Sequence, residues 1–151
     1  MSYALNNENI FQFIMKDELM LEALDGIYPI DKLPMFKHPA KFYIINSDPS
    51  FLPGRHWVCI FSPHNSHPEF FDSLGKAPSF YSDVIPKFLG KKYVYNSIRF
   101  QPHNSSTCGL YCLYYLYHRF RGLTFLEILE RFSRDLEHND AVVIDFYRSF
   151  E

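Results

Sequence analysis

The chain has 151 residues, of which 47% are hydrophobic and 19% aromatic, and this is enough for one domain with a packed core. Such a composition excludes a disordered chain. The formal net charge of −2 provides no overall positive field, which argues against a nucleic-acid-binding protein.

The cysteine spacing and the N-terminal residues indicate the cellular compartment. Three cysteines, an odd number without disulfide-framework spacing, favour a reducing environment. The opening "MSYALNNENIFQF" lacks the basic and apolar regions of a signal peptide, and no apolar run reaches membrane-spanning length. We therefore expect a single domain over residues 1–151 that is not secreted and has no membrane partner.

The N-terminal third predicts one helix, one loop and one strand. Apolar residues at helical spacing in "NNENIFQFIMKDELMLEAL" predict a helix with Asn7 as its N-cap. The following "DGIYPIDKLPMFKHP" contains one glycine and three prolines, and it predicts an irregular loop. Lys41–Ser47 is rich in β-forming residues and predicts a strand, and "DPSFLPG" predicts a turn-rich connection.

Three further strands are predicted in the middle of the chain. They are "HWVCIF" (His56–Phe61), "EFFDS" (Glu69–Ser73) and "KKYVYNSIRFQ" (Lys91–Gln101). If the first two form a symmetric hairpin around Ser62–Pro68, Phe61 pairs with Glu69, and paired residue numbers add to 130.

That register places His56 and Asp72 on the same face as diagonal neighbours. Their backbones would lie roughly 7 Å apart, within reach of an imidazole–carboxylate hydrogen bond that fixes the imidazole tautomer. A one-residue slip would place them on opposite faces. The alternative is a surface histidine and a strand-end aspartate that never meet.

The second half predicts helices. An apolar face runs through Leu110, Leu113, Leu116, Tyr117 and Phe120, and Gly122 is placed to end that helix. Thr124 and Glu127 form a capping-box pattern opening "FLEILERFSRDLEH", and Asp140 is the expected cap of "AVVIDFYRSF". The expected fold is α+β, with a small, mostly antiparallel sheet packed against a central helix that begins at Cys108.

Cys108 is the candidate nucleophile. In the first turn of a helix, free N–H groups and the helix dipole favour the thiolate, which is the reactive form. Gly109 has no side chain at the place where a substrate backbone would approach. The backbone amides of Cys108 and Gly109 could donate hydrogen bonds to a developing oxyanion, and Gln101 could supply a further donor to the same oxygen.

The alternative for each cysteine is a buried, small hydrophobic residue, and we expect Cys59 and Cys112 to be inert core residues. A metal site built on Cys108, Cys112 and histidines is disfavoured, because the Cys-x₃-Cys spacing lacks a second matching pair. The remaining histidines are expected to be ordinary surface residues: His38, His64, His67, His103, His118 and His138.

The order "GRHW … FFDS … FQPHNSSTCGLYC" resembles the adenovirus-type maturation proteases (adenain) and their relatives, which include SUMO-deconjugating proteases and adenain-like enzymes of virus-like DNA transposons. The resemblance covers most of the chain, from "GIYPIDKLP" to the Cys108 helix. Gln101 and Cys108 are seven residues apart, as in the adenain pattern.

This resemblance implies a papain-like, adenain-like cysteine protease fold and a residue for each role. Cys108 matches the nucleophile, His56 the general base, Asp72 the third triad member and Gln101 the oxyanion-hole residue. Trp57 matches the aromatic residue that walls the substrate cleft. This chain departs from the pattern in two ways. Adenain has Glu at the position of Asp72, whereas Asp72 is more like the residue of the deconjugating branch. The segment from Asp72 to Cys108 is also short for either branch.

The leading expectation is therefore a cysteine endopeptidase that cleaves viral or element-encoded precursor proteins at glycine-containing sites, without a cofactor or metal. Its partners would be a polypeptide substrate, such as a capsid precursor, and an activating viral peptide, whereas the net charge does not support DNA. The resemblance places such an enzyme in the virion or in the host nucleus or cytoplasm. The alternatives are a deconjugase of ubiquitin-like modifiers, an acyltransferase with a similar triad, and an inactive binding module of the same fold.

Overall fold

The computed structural model describes residues 3–48, 50–51 and 56–151, and within them the fold is α+β. The helices are α1 (Asn7–Met15), α2 (Glu18–Ala23), α3 (Val84–Leu89), α4 (Cys108–Arg119), α5 (Phe125–Leu129) and α6 (Leu136–Arg148). The strands are β1 (Leu24–Pro29), β2 (Lys41–Asn46), β3 (Trp57–Ser62), β4 (Glu69–Phe71) and β5 (Val94–Tyr95). The predicted connection "DPSFLPG" falls largely outside the described residues.

The strands form one mixed sheet in the order β1-β2-β3-β4-β5. The two inner pairings are antiparallel, and the two outer pairings, β1 with β2 and β4 with β5, are parallel. The sheet is therefore less antiparallel than the sequence predicts.

The predicted hairpin register is confirmed. Cys59 pairs with Phe71 and Phe61 pairs with Glu69, so the paired numbers add to 130. This register places the residue before β3 and the residue after β4 at the same end of the hairpin.

Apolar side chains cover both faces of the sheet. Phe42 and Ile44 of β2 pack into the core that contains α4, while Tyr43 and Ile45 pack on the opposite face with α3. The inner strands therefore read as continuous apolar runs in the sequence, without the alternation of a half-exposed strand.

The predicted loop after α2 is wrong at its start, because β1 forms there and pairs with β2. Both Gly26, next to a register irregularity, and Pro29, at the strand end, disfavour a central strand, but β1 lies at the sheet edge, where such residues are tolerated. The predicted fourth strand is also shorter, since Asn96 ends the β5 region by bonding with its side chain to the backbone N–H and C=O of Asp72.

The single predicted N-terminal helix is two helices. Asn6, and not Asn7, caps α1, in a reciprocal capping box with Asn9. Asp17 caps α2 by accepting from the backbone of Leu19, and this extended residue separates the two helices.

At the C-terminal end, the predicted capping box of Thr124 and Glu127 is confirmed. The predicted cap at Asp140 is wrong, because α6 begins at Leu136 and is capped by Asp135. Asp140 instead accepts hydrogen bonds from the Thr107 hydroxyl and the Tyr111 hydroxyl, both 2.8 Å, and ties α6 to the start of α4.

Helix α4 is buried from Cys108 to Leu116, on all its faces, between the sheet and α6. The predicted apolar face through Leu110, Leu113 and Leu116 is buried, and Gly122, at φ 95°, follows the helix end. Among the described residues, no helix has both the length and the apolarity to cross a membrane.

Glu69 is a buried carboxylate that joins β4 to α4. It is 3% exposed and accepts hydrogen bonds from Arg119 Nε at 3.0 Å and Arg119 Nη2 at 2.7 Å, and from the Tyr115 hydroxyl. Loss of Glu69 would leave the partly buried Arg119 guanidinium and the buried Tyr115 hydroxyl without their shared acceptor.

We therefore predict that Glu69→Ala lowers the free energy of unfolding by about 3–5 kcal/mol, measured by urea titration. Glu8→Ala is the control, because Glu8 is an exposed helix carboxylate bonded to Gln12, and this change should cost no more than about 0.5 kcal/mol. Equal, small losses in both variants would show that the Glu69 network does not stabilise the fold.

Candidate active site

Three chain segments meet at one end of the sheet. His56 immediately precedes β3, Asp72 immediately follows β4, and Cys108 is the first residue of α4. Because β3 and β4 are antiparallel, the start of one lies beside the end of the other, and α4 packs against β3.

His56 and Asp72 form a buried hydrogen-bonded pair. The distance from His56 Nε2 to Asp72 Oδ1 is 2.7 Å, and the two residues are 8% and 0% exposed. Their meeting is the one that the hairpin register predicts. Because Nε2 is taken by the carboxylate, Nδ1 is the ring nitrogen left for another partner.

The Asp72 carboxylate receives a donor for each of its lone-pair directions. Oδ1 also accepts from the Leu74 backbone N–H at 2.9 Å. Oδ2 accepts from the Tyr81 hydroxyl at 2.5 Å and from the Lys76 backbone N–H at 3.2 Å. These donors compensate for the loss of water around a buried charge and fix the orientation of the carboxylate.

Cys108 acts on the same imidazole. Burial alone lowers the pKa of His56, but the hydrogen bond to Asp72, together with the side chain of Cys108, outweighs burial and raises the pKa to about 9. Cys108 is 5% exposed, and its Sγ accepts a hydrogen bond from the Trp57 backbone N–H at 3.3 Å. The geometry therefore brings a thiol, an imidazole and a carboxylate into one chain of interactions.

The start of α4 has backbone donors that the helix does not use. The Thr107 hydroxyl donates to Asp140, so it does not cap the first turn, and the Thr107 carbonyl takes the backbone N–H groups of Leu110 and Tyr111. The N–H groups of Cys108 and Gly109 precede these and belong to the orphan donors of a helix start.

Gln101 is held in one orientation next to this helix start. Its side-chain Oε1 accepts from Ser73 Oγ at 2.6 Å, and its Nε2 donates to the Ser105 carbonyl at 2.9 Å. The backbone N–H of Gln101 donates to the Ser73 carbonyl at 3.1 Å. Nε2 carries two N–H groups, and Ser105 takes one of them, so one donor is left for a ligand.

Trp57 and Gly109 are in contact, as the distances from a Cβ placed at Gly109 show, but Leu5 and not a substrate backbone occupies the space next to Gly109. A Cβ at Gly109 would lie 3.2 Å from Leu5 Cβ and 3.3 Å from Trp57 Cδ1, and the Trp57 indole N–H donates to the Leu5 carbonyl at 2.9 Å. The N-terminal segment fills this space, so close packing within the chain already accounts for the glycine.

Two site residues escape sequence reasoning. Ser73 and Tyr81 bond to Gln101 and Asp72, and the Tyr81 ring also stacks on His56, with ring centroids 5.5 Å apart and planes 28° apart. Ser73 adjoins Asp72 in "FFDS", which is a usable hint. Tyr81 lies in the loop after β4, where no periodicity predicts the direction of a side chain.

The other cysteines lie in the core next to the site, and the prediction for one of the other histidines needs a correction. Cys59 and Cys112 are buried, as expected, and burial, with the neighbouring Cys59, raises the pKa of Cys112 well above its ordinary value; their inertness stays a prediction. His118 is half-buried against the rings of Tyr114 and Phe146, and burial, followed by the charges of Arg131 and Arg121, lowers its pKa to about 4. Within the described ranges, no group of three or more His, Cys, Asp or Glu side chains could hold a metal ion.

Comparisons with known proteins find similarity among solved structures. No protein-family profile and no curated protein sequence matches the chain. A selenomethionine crystal structure of the ASFV pS273R protease is similar with a TM-score of 0.45 and 23% identity, over 65% of this chain and 41% of that chain. The chain thus spans less than half of the length of that protease, and a similarity at this level assigns no activity to it.

We predict that Asp72→Asn lowers the pKa of His56 from about 9, because the hydrogen bond and the charge of Asp72 are among the causes that raise it and burial opposes them. The measurement is an NMR titration of the His56 ring. Because the pKa of His56 is higher in the folded than in the unfolded chain, protonation of His56 stabilises the folded state below pH 6.5. This stabilisation is lost as the pH rises through about 9.

Urea unfolding at pH 6 and pH 9 should therefore show a loss of stability with rising pH that is smaller in Asp72→Asn than in the wild type. Asp25→Asn is the control, since Asp25 bonds to Tyr28 on β1. An unchanged His56 titration in Asp72→Asn would contradict the assigned pair.

Proposed function

We propose that the chain is a cysteine endopeptidase in which Cys108 is the nucleophile, His56 the general base and acid, Asp72 the residue that orients the imidazole, and Gln101 the oxyanion donor. The observation that carries the proposal is the buried hydrogen bond of 2.7 Å between His56 and Asp72, on an imidazole on which Cys108 also acts.

The first step forms an acyl-enzyme. With its proton already held on His56 Nδ1, the Cys108 sulfur attacks the carbonyl carbon of the scissile peptide bond as a thiolate. The carbonyl oxygen becomes an oxyanion, which the free N–H of Gln101 Nε2 and the first backbone N–H groups of α4 stabilise. His56 then protonates the departing amine as the C–N bond breaks.

The second step restores the enzyme. His56 takes a proton from water, the resulting hydroxide attacks the thioester, and the Cys108 sulfur leaves as a thiolate. The proton on His56 reforms the resting pair. No redox step or metal is needed.

The raised pKa of His56 favours a charged resting state. At neutral pH, an imidazole with a pKa of about 9 is protonated. The proton for the departing amine is then already on His56 when substrate binds.

The substrate proposal is a polypeptide with glycine at the scissile site, as in the adenain-like proteases that the motifs resemble. The low exposure of the site supports it, since His56 and Cys108 are 8% and 5% exposed and Trp57 and Leu5 crowd Gly109. A main chain without bulky side chains reaches such a sulfur with the least displacement of its walls. A viral or element-encoded precursor, with an activating viral peptide, belongs to the same proposal, and the net charge of −2 gives DNA no support.

A deconjugase of ubiquitin-like modifiers is the second candidate, because Asp72 has the identity found in that branch of the resemblance. It would use the same thiol on an isopeptide bond. Labelling of Cys108 by a ubiquitin- or SUMO-vinyl electrophile, without cleavage of any glycine-containing peptide, would favour it over the endopeptidase.

We predict that Cys108→Ala lowers cleavage of glycine-containing peptides by about 10⁴-fold or more, because no other group can form the acyl-enzyme. A peptide library with mass-spectrometric detection measures it. Cys59→Ala is the matched control, since Cys59 is a buried cysteine of β3 that should leave most of the activity. Equal turnover by Cys108→Ala and wild type would exclude the proposed chemistry.

We predict that Gln101→Glu lowers kcat by about 10²–10³-fold with little change in KM, because a carboxylate of the same shape provides no N–H for the oxyanion. Steady-state kinetics on the best library peptide measures both constants. His103→Ala, two residues away and exposed, is the control. A change in KM alone would assign Gln101 to substrate binding instead.

A further inference from the structure

Tyr81 contacts two members of the candidate triad in two different ways. It lies in the loop between β4 and α3, just after a short 3₁₀ turn over Pro78–Phe80. Its hydroxyl donates to Asp72 Oδ2 at 2.5 Å, and its ring stacks on the His56 ring at 5.5 Å between centroids. A residue that only filled space would make the ring contact without the hydrogen bond.

We propose that Tyr81 is a positioning residue that locks the Asp72 carboxylate and the His56 ring into the one arrangement in which Nδ1 is presented to Cys108. This inference rests on the proposed function for its catalytic meaning, but the arrangement itself is measurable without substrate.

The hydrogen bond decides which carboxylate oxygen serves His56. Oδ2 has Tyr81 as its short partner and the Lys76 backbone N–H as a longer one at 3.2 Å. With Oδ2 occupied, Oδ1 is left for His56 Nε2 and the Leu74 backbone N–H. Without the hydroxyl, the carboxylate loses its shortest donor and gains freedom to rotate.

The stacked ring restrains the imidazole. The His56 plane lies 28° from the Tyr81 plane, and rotation of the His56 ring about its Cβ–Cγ bond would give up this stacked contact. Such a rotation would carry Nδ1 away from Cys108 and break the bond from Nε2 to Asp72.

The phenol stays a donor over the whole working range of pH. Burial, followed by the charge of Asp72 and its hydrogen bond, raises the pKa of Tyr81 far above its ordinary value of 10. The titratable groups that face this cluster are Asp72 from the end of β4 and Cys108 from α4, with Cys112 acting on the phenol from one turn further along α4. The Lys76 ammonium is engaged over the Phe80 ring, 5.0 Å from its centroid.

Two substitutions separate the two contacts. Tyr81→Phe keeps the stacked ring and removes the hydroxyl, and Tyr81→Leu removes both. Tyr28→Phe is the matched control, because the Tyr28 hydroxyl also donates to an aspartate, Asp25 Oδ2, at 2.7 Å, but on β1.

The first measurement is the NMR titration of the His56 ring. Without the Tyr81 hydroxyl, the Asp72 carboxylate has one hydrogen-bond donor fewer and stabilises protonated His56 more strongly. Tyr81→Phe should therefore raise the midpoint of the His56 titration by about 0.5–1 pH unit. Tyr28→Phe should leave it unchanged. A purely structural role would lower the urea midpoint in both tyrosine variants without moving the His56 titration.

The second measurement is catalytic. In Tyr81→Phe, kcat should fall about tenfold with KM nearly unchanged, and in Tyr81→Leu about a hundredfold, because the loss of a charge-assisted hydrogen bond misaligns a proton transfer. The alkylation rate of Cys108 by iodoacetamide should fall in the same order.

The outcomes distinguish the two proposals. If wild-type Cys108 reacts no faster than Cys59 and Cys112, the protease proposal fails, while the His56 titration still tests Tyr81. If the wild type is active and Tyr81→Phe matches it in titration and kcat, Tyr81 is not a positioning residue. If Tyr81→Phe does not fold, NMR spectra of the wild type test the inference. The inference is overturned if they show neither a slowly exchanging Tyr81 hydroxyl proton nor a contact between the Tyr81 and His56 rings.

Discussion

The structure around the candidate site depends on the burial of one carboxylate. Asp72 has no exposed surface, and an unpaired carboxylate in that position would cost several kcal/mol (about 5 or more). Two neighbouring segments contribute donors: His56 just before β3, and the loop after β4, which provides the backbone N–H groups of Leu74 and Lys76 and the Tyr81 hydroxyl. The loop after β4 therefore follows a path that wraps its own N–H groups around the carboxylate.

The same constraint shapes the edge of the sheet. The backbone of Asp72 is paired with the side chain of Asn96, where a strand ladder would have used backbone groups. Beyond Asn96, the chain returns to Ser73, whose carbonyl accepts from the N–H groups of Phe100 and Gln101. The carboxylate, the oxyanion donor and the edge of the sheet are thus parts of one hydrogen-bonded unit.

A second buried carboxylate fixes the hairpin face. Because β3 and β4 are apolar on both sides, hydrophobic alternation alone does not decide which side of β4 meets α4. Glu69 decides it, since only α4 provides Arg119 and Tyr115 as partners for that charge. With this face set, His56 and Asp72 meet at the far end of the hairpin, next to the start of α4.

Features with local causes could be predicted from the amino-acid sequence. The seven-residue connection determined the hairpin register, the Thr124–Glu127 spacing determined a capping box, and the polar loop before Cys108 determined where α4 begins. Each follows from residues a few positions apart. The meeting of His56 and Asp72 was accessible in the same way, because two short strands and one turn connect them.

Features that depend on distant partners become visible only in the folded chain. The sequence predicts Asp140 as a helix cap, but its carboxylate accepts hydrogen bonds from Thr107 and Tyr111. It predicts His118 as a surface residue, but the imidazole lies among aromatic rings. Strand β1 forms because it can pair with the edge of β2. Tyr81 and Leu5 reach the site from loops whose course no periodicity encodes. The physical reason is the same in each case: a side chain in a loop, or a buried polar group, takes the partner that packing brings to it, and a sequence records the group without recording that partner.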